Sequence, residues 1–228
     1  KAEINMIFNR HEKEDETGII KNMSKIDLRD ATAESLAEIK GIKNAGIIIL
    51  PTDAEPEFFA NYAKIPKKNI GSELRLEKNV TVKAHNGCCV IDSVSDPENT
   101  VVITNGICVV MNVNAEKPLR LVVNGVTIIQ NGSNAEVISS NGFCNRAEFN
   151  YVRVFNDRVT VTADFLKALN DSTAIVACDR IIVDDSVSSQ LILDKKIIFC
   201  AGDDIICTEN NYGAVAATSF AGDSIRTE

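Results

Sequence analysis

Cys88 and Cys89 follow His85 by three and four residues, the nearest approach in this sequence to a nucleophile with its base. A thiol attacks as the thiolate, so it needs a proton acceptor within hydrogen-bond reach, and an imidazole can serve. The plainer reading is a pair of strand cysteines beside a turn histidine. Successive strand side chains alternate faces, so two adjacent cysteines cannot both point inward, and one of them is expected to be more accessible.

A second set of groups is acidic. Asp184, Asp185, Asp203 and Asp204, together with Asp179 and Asp194, recur at the ends of the last apolar segments. Turns brought together from successive strands would stack these carboxylates as oxygen ligands for calcium. With Arg180, Lys195 and Lys196 they would also supply the acids and bases of a polysaccharide-cleaving site. Neither the EF-hand loop nor the glycine-rich calcium nonapeptide is present, and Asp is favoured in turns for its own local hydrogen bonds, so a turn role is the expectation.

Other chemistry is sparse. The two histidines, His11 and His85, cannot assemble a His-rich zinc site within one chain. No G-x-S-x-G elbow, phosphate-binding Walker loop or G-x-G-x-x-G follows an apolar run, so the usual signatures of hydrolases, nucleotidases and dinucleotide enzymes are missing. No cofactor and no metal are expected. The net charge of −8, with no basic cluster, argues against nucleic acid, whose binding rests on Lys and Arg neutralising phosphates. Residues 151–228 carry 7 Lys and Arg against 12 Asp and Glu, so the acidity is weighted toward the C-terminus. The absence of Trp and an aromatic content of 5% weaken any sugar-stacking platform.

The elements that would position these residues are short and apolar. Ile26-Asp27-Leu28, a helical stretch over Ala31 to Ile39, and Ile47-Ile48-Ile49 match Val159-Thr160-Val161, a helical stretch over Ala163 to Leu169, and Ile181-Ile182-Val183. Aligning on such apolar starts adds Val80, Ile107, Val126, Ile197 and Ile205. A strand-plus-turn unit cannot bury its apolar face alone, whereas stacked units share one core. A further helix is predicted over Glu55 to Lys64, limited by Pro51 and Pro66.

The predicted fold is therefore mainly β: a single-domain β-solenoid of irregular coils of roughly twenty residues with a few short helices. At the level of its strand-loop-helix-strand cycle it resembles the leucine-rich repeat, although the consensus Asn or Cys position does not recur. The competing fold is an antiparallel meander in the middle third, because five Asn-Gly pairs occur there, at 86, 105, 124, 131 and 141, and Asn-Gly is the strongest two-residue hairpin signal. The boundaries drawn are an N-terminal cap over 1–25, the stacked domain over 26–209, and a C-terminal cap or tail over 210–228.

Of seven cysteines, Cys108, Cys178, Cys200 and Cys207 lie in β-branched runs and are expected as buried core thiols. That usage points to a reducing compartment, the cytoplasm, while a chain starting at Lys1 leaves a removed signal peptide as the alternative. No apolar run reaches the length of a membrane helix. The function that follows is a non-enzymatic structural or protein-interaction scaffold, with a protein partner or self-association, including a homodimer through the C-terminal end. The alternative is a carbohydrate-active or carbohydrate-binding β-helix protein.

Overall fold

The structure is a computed structural model that describes residues 18–228. His11 and the apolar residues Ile4, Met6, Ile7 and Phe8 of the expected N-terminal cap lie outside the described residues. Among those described, 50% are in strands and 17% in helices, and the strands form several parallel sheets. The chain divides into two compact units, Lys1–Val80 and Thr81–Glu228.

The first unit runs β1 (Ile19–Asp27), α1 (Ala33–Ala37), β2 (Gly41–Pro51), α2 (Pro56–Lys64), β3 (Lys67–Leu76). Its strands pair in parallel in the order β1-β2-β3. Parallel neighbours require a crossover, and the two helices provide it. Thr32 caps α1 by accepting from the Ser35 amide at 3.2 Å, and Pro56 opens α2 with the fixed φ suited to a first helical turn. Leu36 of α1 and Phe58 and Tyr62 of α2 are buried with Ile26, Ile42, Ile48 and Leu50 of the sheet. Residues 18–25 of the expected cap thus belong mostly to β1. Arg29 closes the unit by donating to both carboxylate oxygens of Asp27, at 2.9 and 2.8 Å, and to the carbonyls of Glu77 and Val80. Burial would raise the Asp27 carboxyl, but this guanidinium outweighs it and holds the group below the usual carboxylate range.

The second unit runs β4 (Thr81–Asp92), β5 (Thr100–Met111), β6 (Leu119–Gln130), β7 (Ala135–Ser140), β8 (Phe143–Ala147), β9 (Tyr151–Phe155), β10 (Val159–Val161), α3 (Ala163–Ala168), β11 (Thr173–Ala177), β12 (Ile181–Val183), α4 (Ser189–Asp194), β13 (Ile198–Ala201), β14 (Ile205–Cys207), α5 (Glu209–Thr218), β15 (Ser219–Ala221), β16 (Ile225–Thr227). Its three sheets are ordered β4-β5-β6-β7 with β8 also on β6, β9-β11-β13-β15, and β10-β12-β14-β16. Three cores result. Ile107, Val109, Val126 and Ile128 meet Ala174, Val176, Ile198 and Cys200 in the first. Val102, Cys108, Val110, Leu121 and Val123 form the second. In the third, Leu166, Ile192 and Val215, one from each of α3, α4 and α5, cover Ile175, Phe199, Ile181 and Ile205. Strand β11 is buried along its whole length, as expected for a parallel sheet covered on both faces.

The antiparallel alternative for the middle third is overturned. Asn86-Gly87, Asn105-Gly106 and Asn124-Gly125 lie inside β4, β5 and β6, which pair in parallel with Asn beside Asn and Gly beside Gly. The dipeptide bends each strand instead of reversing it. Gly106 and Gly125 take φ of +122° and +132°, a region closed to side chains, and the asparagines join across strands. Asn105 Nδ2 donates to Asn86 Oδ1 at 2.8 Å and Asn124 Nδ2 to Asn105 Oδ1 at 2.9 Å. In the first unit, Asn22, Asn44 and Asn69 form the same kind of row at 2.9 Å per step, each with a left-handed φ. A hairpin and a parallel bend both exploit the tolerance of Asn and Gly for positive φ, so the dipeptide alone does not separate them.

Candidate functional site

In the second unit the bends leave a groove of about 370 Å³. One wall is the row Gly87, Gly106, Gly125 and Gly142, and the other is Cys178, Gly202 and Gly222. The glycines are required by close approach as well as by shape: a Cβ on Gly106 would lie 2.6 Å from the Gly87 carbonyl oxygen. Phe143 stands exposed at the lining, and Asp203 and Asp223 bring carboxylates to it.

Those carboxylates belong to a longer row. The Asp179 amide donates to the Asp157 carbonyl at 3.3 Å, the Asp203 amide to the Asp179 carbonyl at 2.9 Å, and the Asp223 amide to the Asp203 carbonyl at 3.0 Å. Neighbouring strands are ~4.8 Å apart, so one aspartate recurs at each step. At ~5 Å, two carboxylates repel by about 1 kcal/mol even at the dielectric of water. The Asp203 carboxyl is accordingly raised, first by a hydrogen bond shared with Asp179, then by burial and by the charges of Asp179, Asp223 and Asp204. Its neighbour behaves oppositely. The Asp204 carboxyl is lowered, first by the Ser224 hydroxyl, which donates at 2.8 Å, with Arg226 and Arg180 at 3.7 and 3.4 Å adding to that effect against burial.

The four acidic candidates of the sequence are therefore divided. Asp203 and Asp204 precede β14, whereas Asp184 and Asp185 follow β12, its in-register neighbour, at the far end of the strands. Asp184 is lowered by the Ser186 side chain and by the Ser186 amide, which donates to it at 2.9 Å in the turn before α4. Asp185 is exposed beside it. The structure adds Asp157 and Asp223, which the sequence reading passed over. Their signal was a fixed place two residues before the apolar start: Asp157 before Val159, Asp179 before Ile181, Asp203 before Ile205, Asp223 before Ile225. Among the described residues, no group of three or more His, Cys, Asp or Glu is arranged to hold a metal ion.

Cys88 and Cys89 face opposite cores and are both half-buried. The Cys88 thiol donates to the Phe155 carbonyl at 3.8 Å, and it is raised by burial and then by the Cys178 thiol. His85 sits across the Asn86-Gly87 bend, beside Thr104 of β5. Among the described residues, no hydrogen bond joins His85 to either cysteine. Cys89 instead lies beside Cys108, which lies beside Thr127, which lies beside Cys144. Cys108, Cys200 and Cys207 are buried as expected, while Cys178 is half-buried at the groove because it stands at a bend after β11.

No family model, no curated protein and no solved structure matches this chain. Among the described residues, no helix is long and apolar enough to cross a membrane.

Proposed function

We propose that the protein is a non-enzymatic β-solenoid scaffold whose second unit uses the groove and its aspartate row to hold an extended basic segment of a protein partner. The observation that carries this reading is the row itself, with an aspartate on each of successive strands ~4.8 Å apart beside a wall lined by glycine. In-register parallel pairing supports the solenoid: Ile26 lies beside Ile48 and Val159 beside Ile181, each 22 residues on, and Thr81 lies beside Thr100, 19 residues on. Repeated spacing of this kind is how stacked coils share a core. The glycine wall lets a partner backbone approach closely, and a row of like charges bound by an opposite charge loses its own repulsion. Acidity on this face disfavours nucleic acid, and the free thiols favour a reducing compartment such as the cytoplasm.

The test is fluorescence anisotropy with an oligolysine peptide. Three exposed ion pairs at about 0.7 kcal/mol each predict a loss of roughly thirtyfold in affinity when Asp179, Asp203 and Asp223 are all changed to Asn. Binding should weaken with added salt. It should also weaken as pH falls, beginning at a higher pH than an unperturbed aspartate would give because the Asp203 carboxyl is raised. Equal affinity of the triple variant and the native protein would end this reading.

A carbohydrate-binding β-helix is the second reading, favoured by Phe143 exposed beside Asp203 and Asp223 in one groove. An uncharged oligosaccharide that binds independently of salt and is lost in Phe143→Ser would support it over the basic peptide.

Self-association is proposed through β15 and β16. They are the outer strands of their sheets, and an outer strand presents unpaired backbone groups. Sedimentation over a range of concentrations should show a dimer that Phe220→Asp weakens. A native protein that stays monomeric throughout would remove this proposal.

A further inference from the structure

One interior row departs from the apolar pattern of the second unit. Beside the row Val90, Val109 and Ile128, the row through β4, β5, β6 and β8 is Cys89, Cys108, Thr127 and Cys144. Cys108 and Thr127 are fully buried, and the Thr127 hydroxyl has no hydrogen-bond partner. Cys89, at the β4 end, is half-buried, so it is the member of the Cys89–Cys108 pair that a small molecule reaches first. In-register residues on adjacent parallel strands have Cα atoms ~4.8 Å apart, inside the 4.4–6.8 Å window (approximate limits) that a disulfide spans.

We propose that Cys89 and Cys108 form a hydroperoxide-reactive thiol pair, with Cys89 the attacking sulfur and Cys108 the resolving one. The thiol chemistry supports the assignment of roles. Cys89 is lowered by the hydrogen bond it accepts from Cys108, against the effect of burial, whereas Cys108 is raised by that same bond and by burial. Burial likewise raises Cys88, Cys144 and Cys207, and it pushes Cys200 up to about 12. A thiolate is the nucleophile, and oxidation selects the acidic, accessible thiol.

The step balances with the hydroperoxide as oxidant. The Cys89 thiolate attacks the terminal oxygen; the S–O bond forms, the O–O bond breaks, and the alkoxide leaves and takes a proton from water. Cys108 then attacks the Cys89 sulfur, the S–S bond forms, and the S–O bond breaks. The hydroxyl departs as water with the Cys108 proton. Two sulfurs lose two electrons in all, and the hydroperoxide becomes an alcohol and water. A small reductant such as a monothiol would reverse it by exchange.

The experiment treats the whole protein with hydrogen peroxide, blocks the remaining thiols under denaturing conditions, and maps them by mass spectrometry. The expected product is a Cys89–Cys108 disulfide, formed before any other oxidation and removed by dithiothreitol. In Cys108→Ala, the sulfenic acid should persist on Cys89 and be trapped by dimedone. Because a buried substitution can impair folding, a second arm uses the native protein alone: alkylation by iodoacetamide at neutral pH, with Cys89 modified several-fold faster than Cys88 or Cys144. A first-formed disulfide elsewhere, or Cys89 alkylating no faster than these two half-buried thiols, overturns the proposal.

Discussion

Gly125→Ala is expected to lower the stability of the second unit by about 4 kcal/mol, the sum of a strained backbone and an overpacked contact. Gly125 takes φ +132°, and a Cβ there would fall inside the van der Waals envelope of the Gly106 carbonyl oxygen. Neither partner of that clash is the free end of a side chain, so relief requires the two bent strands to separate and the ladder between β5 and β6 to loosen. For a unit of this size the loss corresponds to a fall in Tm of about 10–15 °C. Gly213→Ala is the matched control. It lies in α5 with open space around its Cα, and alanine there should add about 0.5–1 kcal/mol through helix propensity. Thermal denaturation followed by circular dichroism separates the two. Equal Tm values for Gly125→Ala and the native protein would mean that the bends are not held as described.

The same bends show where sequence reasoning stopped. The element types were legible because their causes are local. Glu55 to Lys64 contains α2 because Pro56 opens it and Pro66 follows it, and the stretches at Ala31 and Ala163 contain α1 and α3 because Thr32 and Thr162 cap them. The alignment of Val159, Ile181 and Ile205 corresponds to true neighbours in one sheet. Ile197-Ile198-Phe199, aligned with them, belongs to a different sheet, where Ile198 and Phe199 pair with Ala174 and Ile175. Two apolar runs occur in each crossover, and composition alone does not say which run joins which sheet. α4 and α5 were missed because their caps, Ser188 and Thr208, are followed by short or small-residue segments with little amphipathic pattern.

The candidate site was legible only in its chemistry. Counting acids found Asp203 and Asp204 but grouped them with Asp184 and Asp185, which lie at the opposite end of the neighbouring strand β12. What separates the groups is register, which depends on which strands become neighbours. Cys88, Cys89 and His85 show the same limit: closeness in sequence suggested a base beside a thiol, while the parallel pairing gave Cys89 a second thiol.

The Asp184 carbonyl accepts a hydrogen bond from Asn211, and replacing that asparagine should have the other large effect. Asn211 is fully buried; its Oδ1 accepts from the Thr208 amide at 2.9 Å, and its Nδ2 donates to the carbonyls of Asp184 at 3.3 Å and Val187 at 3.1 Å. One side chain thus caps α5 and fixes the turn that leads to α4. Asn211→Asp keeps the acceptor and the volume but turns the donating nitrogen into an oxygen facing two carbonyl oxygens. At neutral pH this buries an unpaired charge and should cost about 4 kcal/mol. The carboxyl in the folded variant will be raised above its unfolded value of about 3.9. The folded state then binds more protons than the unfolded one between those two values, so the deficit relative to native protein should shrink as pH falls through the folded value. A protonated carboxyl regains one of the two donated hydrogen bonds. Asn211→Ala, which removes the bonds without adding charge, should lose about 2 kcal/mol with no pH dependence of its own. Urea unfolding of the three proteins between neutral and mildly acidic pH tests this, and a constant deficit for Asn211→Asp across that range would show that the residue does not face the two carbonyls.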